Sequence, residues 1–298
     1  MPAGHTPVLL QETLRLLSPA PGEVFLDGTT GAGGHAEEIS RRIGPDGILV
    51  CADMDPAMLD VAAERLRAYP QARFIRSDFS DLDRLAEAAE GRPFDGMLLD
   101  LGISSLQLDD PSRGFSFRDD GPLDMRKDPE SGGPDAREIL RRTHEKELAD
   151  IIYRFGEERF SRRIARAIVE RRERDPLERT MELAELVKRA IPRKAWPREI
   201  HPATRTFQAL RIAVNRELES LSAFLGGFAG RLAKGGRAAV ISFHSLEDRL
   251  VKTAFREMSA GEEAVLAVLT RKPVVPGAEE IAINPRARSA KLRAARRR

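Results

Sequence analysis

Gly31, Gly33 and Gly34 lie between a short β-prone run, 24–27, and a helix-patterned stretch, 35–43. Glycines at a strand-to-helix turn let the backbone approach a ligand, and the helix N-terminus favours polar or anionic groups. The run Gly31-Ala-Gly33-Gly34-His35-Ala36 meets the loose dinucleotide pattern, so alone it does not separate a nicotinamide cofactor from S-adenosylmethionine. A series of carboxylates makes the distinction. Asp27, Asp53, Asp78 and Asp100 close four successive strand-like runs, and ligands of open α/β sheets bind at the carboxyl ends of strands. In that order Asp27 can attract a methionine ammonium and Asp53 can accept both ribose hydroxyls. Asp78 with Phe79 can hold adenine, and Asp100 would face the methyl group. Any one of these Asp residues could be a turn former or a helix cap. All four together suit a methyl donor, and no second mononucleotide-binding half of a dehydrogenase is evident.

Asp100-Leu-Gly-Ile-Ser-Ser105 occupies the place after the fourth strand where amino methyltransferases carry a polar loop. An exocyclic amine on a nucleobase is a poor nucleophile, because its lone pair is delocalised into the ring. A carboxylate that accepts its N–H localises that pair, and in-line placement supplies the proximity term. Asp100 is the candidate, either in catalysis or in holding the cofactor, with Ser104 in the same loop. His244, after the strand-like run 237–243, can reach the same place, with Ser242 and Ser245 beside it. His5, His35, His144, His201 and His244 show no metal-ligand spacing, so no catalytic metal is expected.

The elements that must hold these groups read as strand and helix in alternation. Strands are predicted at 24–27, 48–53, 73–78 and 94–101, with helices at 35–43, 57–67 and 82–89 between them. From about Leu108 glycines and prolines interrupt the pattern. Helical, heavily charged stretches follow at 136–174 and 179–189, with an aliphatic stripe that reads as core. The α/β pattern then resumes with a helix at 206–232, a strand at 237–243, a helix at 245–258 and a strand at 264–270, and the tail can supply a last strand. The expected architecture is an α/β core at 1–108 and 205–298, interrupted at 109–204 by a loop and an inserted, mainly helical domain.

The 298 residues allow one large domain or two modest ones. No apolar run approaches a membrane span, no secretory signal is recognisable at the start, and a single cysteine, Cys51, excludes an intrachain disulfide. A cytoplasmic protein is expected. The net charge of +2 hides an asymmetry: residues 284–298 carry seven Lys or Arg and no acid. Such a run is either a solvated tail or a contact for phosphates.

Longer phrases carry a resemblance. These are His5-Thr-Pro-Val-Leu-Leu10, Asp27-Gly-Thr-Thr-Gly-Ala-Gly-Gly-His35, Leu98-Leu-Asp-Leu-Gly-Ile-Ser-Ser105, Gln107-Leu-Asp-Asp110, Arg113-Gly-Phe-Ser-Phe117, Gly121-Pro-Leu-Asp-Met-Arg126, the run from His201 to Arg211, Ser242-Phe-His-Ser-Leu-Glu-Asp-Arg249 and the run from Asn284 to Arg293. Together they resemble the ribosomal RNA small subunit methyltransferase H family, also called MraW, nearly end to end. The resemblance implies a Rossmann-like class I S-adenosylmethionine methyltransferase sheet with a helical insertion that recognises RNA. It implies N4-methylation of a cytidine near the P site of 16S ribosomal RNA, on the small ribosomal subunit. It also implies that Gly33, Gly34, His35, Asp53, Phe79, Asp100 and Gln107 contact S-adenosylmethionine, beside Asp27 and Asp78 from the strand-end argument. Arg113, Arg205 and Arg249, with Arg118, Arg126 and Arg211, are candidates to neutralise RNA phosphates. No Ser-Pro-Pro-Tyr box is present, so Phe115, Phe117 and Phe243 are the candidates to stack on a flipped base. A non-catalytic ribosome-assembly factor, a nicotinamide-dependent oxidoreductase and a DNA amine methyltransferase are the competing readings. The oligomeric state is left open.

Overall fold

The computed structural model describes residues 7–298, so His5 of the first family-like phrase lies outside the described residues. In chain order the elements are α1 (Leu10–Leu17), β1 (Val24–Asp27), α2 (Gly34–Ile43), β2 (Ile48–Asp53), α3 (Pro56–Arg65), β3 (Ala72–Arg76), α4 (Leu82–Ala88) and β4 (Phe94–Asp100). Then follow α5 (Ser105–Asp109), α6 (Ala136–Arg142), α7 (Glu145–Gly156), α8 (Ser161–Arg172), α9 (Thr180–Ala190) and α10 (Thr204–Asn215). The series closes with α11 (Glu217–Arg231), β5 (Leu232–Ser242), α12 (Ser245–Met258), β6 (Leu266–Val268), α13 (Ala278–Ile283) and β7 (Lys291–Arg297). Two compact units result. One runs up to Gly102 and resumes at Leu218–Arg298; the other is Ile103–Glu217.

The first unit is built on a seven-stranded sheet of order β3-β2-β1-β4-β5-β7-β6, a doubly wound sheet as the alternating pattern predicts and Rossmann-like as the family resemblance implies. β1 to β5 run parallel, and β7 is antiparallel to both its neighbours. Successive residues of a strand face opposite sides of a sheet. Accordingly Val24 and Leu26 join one apolar layer with Leu85 of α4, Phe224 and Phe228 of α11 and Phe255 of α12. Phe25 joins the other with Leu14 and Leu17 of α1, Ile39 and Ile43 of α2 and Ala62 of α3. A sheet covered on both faces leaves the strand ends as the place where polar side chains can converge.

The basic C-terminal run is neither a solvated tail nor a free arm. Its residues form β7, hydrogen-bonded between β5 and β6, with Ala294 and Ala295 fully buried. Arg293 is itself buried, and its Nε donates to Asp248 Oδ1 at 2.6 Å, with Lys291 Nζ 3.5 Å from the other oxygen. Burial raises the Asp248 carboxyl, but the Arg293 bond and the two cations more than offset it and hold Asp248 below the usual carboxylate range.

The second unit has its own core, in which Leu148 and Ile152 of α7, Ile164 and Ile168 of α8, Leu183 and Val187 of α9 and Phe207 and Leu210 of α10 meet. The sequence reads 136–174 as one helical stretch, whereas the chain turns twice within it. The backbone is extended at Thr143 and His144, and Glu157 adopts φ 49°. The continuous helix expected at 206–232 is likewise broken at Arg216, φ 49°, giving α10 and α11. The second unit therefore extends beyond 109–204 at both ends, because Ile103 and Leu108 pack on its core and α10 lies against α7. Among the described residues no helix is long and apolar enough to cross a membrane.

Candidate active site

Parallel pairing of β2, β1 and β4 brings Asp53, Asp27 and Asp100 to one end of the sheet. The loop after β1 is stitched there by backbone bonds: Gly28 N donates to Leu98 O, Thr30 N to Ala52 O and Gly33 N to Thr30 O. Asp53 fixes the loop further. Its Oδ2 accepts Gly31 N at 2.9 Å and its Oδ1 accepts Asp55 N at 3.0 Å. Thr29, unremarked in the sequence, accepts Asp100 N on its hydroxyl at 2.6 Å and so ties the β1 loop to the end of β4. Two glycines are required by geometry. Gly33 caps α2 at φ 79°, where an added Cβ would lie 2.7 Å from Leu66 Cδ1. A Cβ on Gly28 would lie 2.6 Å from Leu99 Cδ2 and 3.0 Å from Phe79 Cβ, so only glycine lets Phe79 approach.

The acids are held in unequal states. Asp27 is 1 % exposed, and burial pushes its carboxyl up to about 7 against the lowering effect of the Thr29 N–H, with the charge of Asp53 adding to the rise. Asp100 is raised well above the usual range, first by burial and then by the charges of Asp27 and Glu247. Its Oδ1 is buried and has no hydrogen-bond partner among the described residues, while Oδ2 faces His35 Nδ1 at 3.6 Å. His35 Nε2 meets the Val8 carbonyl at 3.1 Å.

These residues fit S-adenosylmethionine. Desolvated carboxylates with raised pKa are stabilised by an incoming cation, and an orphaned buried oxygen marks a position for a donor.

The remaining predicted residues take up more local tasks. Asp78 accepts Ser80 N on one oxygen and the Ser220 hydroxyl on the other, both at 2.8 Å, and Phe79 packs edge-on against Phe224 in the core. Gly34 opens α2 directly after Gly33. In the second unit Ser104 and Gln107 cap α5 reciprocally: Ser104 Oγ accepts Gln107 N and Gln107 Oε1 accepts Ser104 N. His244 is the N-cap of α12, its Nδ1 accepting Glu247 N at 3.4 Å. Sequence reasoning missed Glu247, 2 % exposed, whose Oε2 accepts Phe243 N and His244 N and whose charge acts on Asp100. The signal was available: a Glu three residues after a cap position is the capping-box pattern.

The candidate RNA contacts and stacking residues divide in the same way. Arg113 donates to the carbonyls of Arg126 and Lys127, which makes it a brace within its own unit. Arg126 forks onto Asp124, and Arg211 pairs with Glu217. Arg205, Arg118 and Arg249 are exposed. Phe115 is buried and Phe117 packs on Phe207, whereas Phe243 is half-buried beside Gly102.

Residues 2–298 match the model of the MraW methylase family. The chain is 50% identical over 305 residues to a ribosomal RNA small subunit methyltransferase H from Trichlorobacter lovleyi, covering 98% of this chain and 97% of that one. It is 51% identical over 307 residues to a protein of the same name from Anaeromyxobacter dehalogenans, covering 97% and 96% of the two chains. Among solved structures, an rRNA methylase from Streptococcus thermophilus aligns over 99% of both chains with 10% identity and a TM-score of 0.46.

Proposed function

The chain belongs to the MraW methylase family, and from that premise we propose that it methylates the exocyclic N4 of a cytidine near the P site of 16S ribosomal RNA. The substrate is the small ribosomal subunit, the setting is the cytoplasm, and the inserted helical unit recognises the RNA. S-adenosylmethionine supplies an electrophilic methyl on a sulfonium. Gly31, Gly33 and Gly34 give its backbone contacts, Asp53 accepts from the ribose hydroxyls, and Asp27 and Asp100 present negative charge to its cationic end. Asp78 and Phe79 border the adenine, and Gln107 and His35 complete the set carried over from the family motifs.

The observation that carries this reading is the buried Oδ1 of Asp100 at the end of β4, which has no hydrogen-bond partner among the described residues. It accepts one N–H of the acceptor amine and thereby localises the lone pair on nitrogen. As the N–C bond forms and the C–S bond breaks, the amine must lose a proton. A carboxylate whose pKa is raised by burial is a stronger base for that proton than one in water. Ser104 and His244 are the further candidate catalytic residues, each on its own unit.

The test is methyl transfer from labelled S-adenosylmethionine to small subunits lacking the modification, read by nucleoside mass spectrometry, with Asp100→Ala beside the wild type. N4-methylcytidine in the wild type and its loss in the variant are expected. Label on another base, on ribose or on protein would overturn the acceptor assignment, and absence of both transfer and cofactor binding would overturn the enzymatic one.

A further inference from the structure

Several surface arginines of this chain have an acid within reach on the same helix or beside it. Arg41 and Arg42 are matched to Glu38, Arg142 to Glu138, Arg171 to Asp175 and Arg179 to Asp120. The corner where α7 turns into α8 gathers several that have few such partners. Arg154, Arg159, Arg162, Arg163 and Arg166 are all exposed there. Among the described residues only Arg166 has a carboxylate in range, Glu145 at 3.8 Å, with both side chains well exposed. The one nearby acid that is buried, Glu158, is turned inward and accepts Phe160 N at 2.8 Å. Like charges gathered on one surface repel one another, so the fold gains nothing from the cluster.

The opposite side of α8 explains the order of this surface. Ser161, Ile164, Ala165 and Ile168 are buried in the core of the second unit, which turns Arg162, Arg163 and Arg166 to solvent on one face. Two further features sit at the same corner. Tyr153, in the last turn of α7, is 61% exposed, and the Arg159 guanidinium lies 4.8 Å from the Phe160 ring centre. Exposed Arg205 reaches the Glu157 carbonyl at 3.3 Å, and a Cβ on Gly156 would lie 2.5 Å from the Arg205 carbonyl oxygen, so the start of α10 is pressed onto the turn. A rigid basic surface with an exposed ring has the chemistry that takes up RNA: guanidinium groups meet phosphates and an aromatic face stacks an unpaired base.

We infer that the α7–α8 corner, centred on Tyr153, Arg162 and Arg163, is the surface by which the helical unit docks on an RNA strand carrying an unstacked base. The inference rests on the RNA-methylating reading and deepens it, since it says which face of the insertion meets the substrate. The test measures binding of the full-length protein to small ribosomal subunits across a range of salt, without methyl donor, alongside methyl-transfer kinetics. Arg162→Gln with Arg163→Gln is expected to weaken binding about ten-fold at physiological salt and to make the salt slope shallower by about 1.5, the share of two phosphate contacts. The KM for subunits rises in step while kcat at saturation is kept. Tyr153→Ala is expected to lose several-fold in affinity with the slope unchanged, and Tyr153→Phe to restore it. All these side chains are exposed, so unchanged circular dichroism and unfolding midpoints confirm folded variants. Wild-type affinity and slope in the arginine variant, with the wild type methylating subunits, would overturn the docking surface alone. A wild type that neither binds nor methylates subunits would overturn the functional reading as well.

Discussion

His35 Nδ1 faces Asp100 Oδ2 at 3.6 Å, while Nε2 of the same ring stands 3.1 Å from the Val8 carbonyl. A carbonyl only accepts, so Nε2 carries a proton, and in the neutral ring the Nδ1 lone pair points at the carboxyl group. A proton on either partner removes that repulsion. The burial of Asp100 and the charges of Asp27 and Glu247 raise its carboxyl and so favour a proton there, and a cation bound at the end of β4 would favour its release.

Asp27 gives the clearest pH dependence. Its carboxyl is raised from 3.8 to about 7 in the folded chain. The native state therefore holds a proton that the unfolded state has lost, and the associated stability is full below about pH 4 and lost as pH rises through about 7. Urea unfolding of the ligand-free protein should show stability falling by about 3 kcal/mol more between about pH 5 and pH 8 in the wild type than in Asp27→Asn. Parallel curves for the two proteins would contradict the assignment.

Glu247→Gln keeps an oxygen to accept Phe243 N and His244 N but removes the charge that helps raise Asp100. The acid limb of the methyl-transfer pH profile should move to lower pH, with the fold intact by circular dichroism. An unmoved or oppositely moved limb would mean that Glu247 acts only as a helix cap.

Gly33→Ala places a Cβ at φ 79° against Leu66. The expected cost is about 1–2 kcal/mol in stability, with a further loss of S-adenosylmethionine affinity as the loop shifts. Thermal unfolding and calorimetric titration report the two effects separately; wild-type values in both would show that the loop yields freely.

Arg293→Met leaves the half-buried Asp248 with the more distant Lys291 as counter-charge. About 2 kcal/mol of stability should be lost. The double variant Arg293→Met with Asp248→Leu should recover most of it, because the unpaired charge is then gone. A double variant no better than the single one would show that packing of β7, not charge burial, sets the cost.

The strands and the site were legible in the sequence to different depths. β1 and β2 match the sequence-derived bounds because uninterrupted apolar runs ending in Asp leave little choice. The helix breaks at Glu157 and Arg216 were not legible: both residues adopt positive φ without being glycine, and nothing local announces that. The role of 284–298 was hidden for a related reason. Its arginines read as a charged surface, whereas pairing between β5 and β6 and the Arg293 partner Asp248, 45 residues earlier in the chain, are long-range facts. The positions of Asp27, Asp53 and Asp100 at strand ends were legible, whereas β3 ends at Arg76, short of Asp78. The raised state of Asp100, the Thr29 tie and the influence of Glu247 depend on distances that no spacing encodes.

The position of β7 also bears on how the protein is made. β5 emerges during synthesis with one edge facing β4, already present, and the other edge destined for a strand nearly fifty residues further along. β6 appears in between without its neighbour. Until β7 arrives, the nascent sheet offers open edges, the surfaces most prone to pair with another chain. A stop codon or proteolytic cut just before Lys291 would spare every strand-end aspartate of the site, yet leave a chain whose fate is set by chaperones rather than by chemistry.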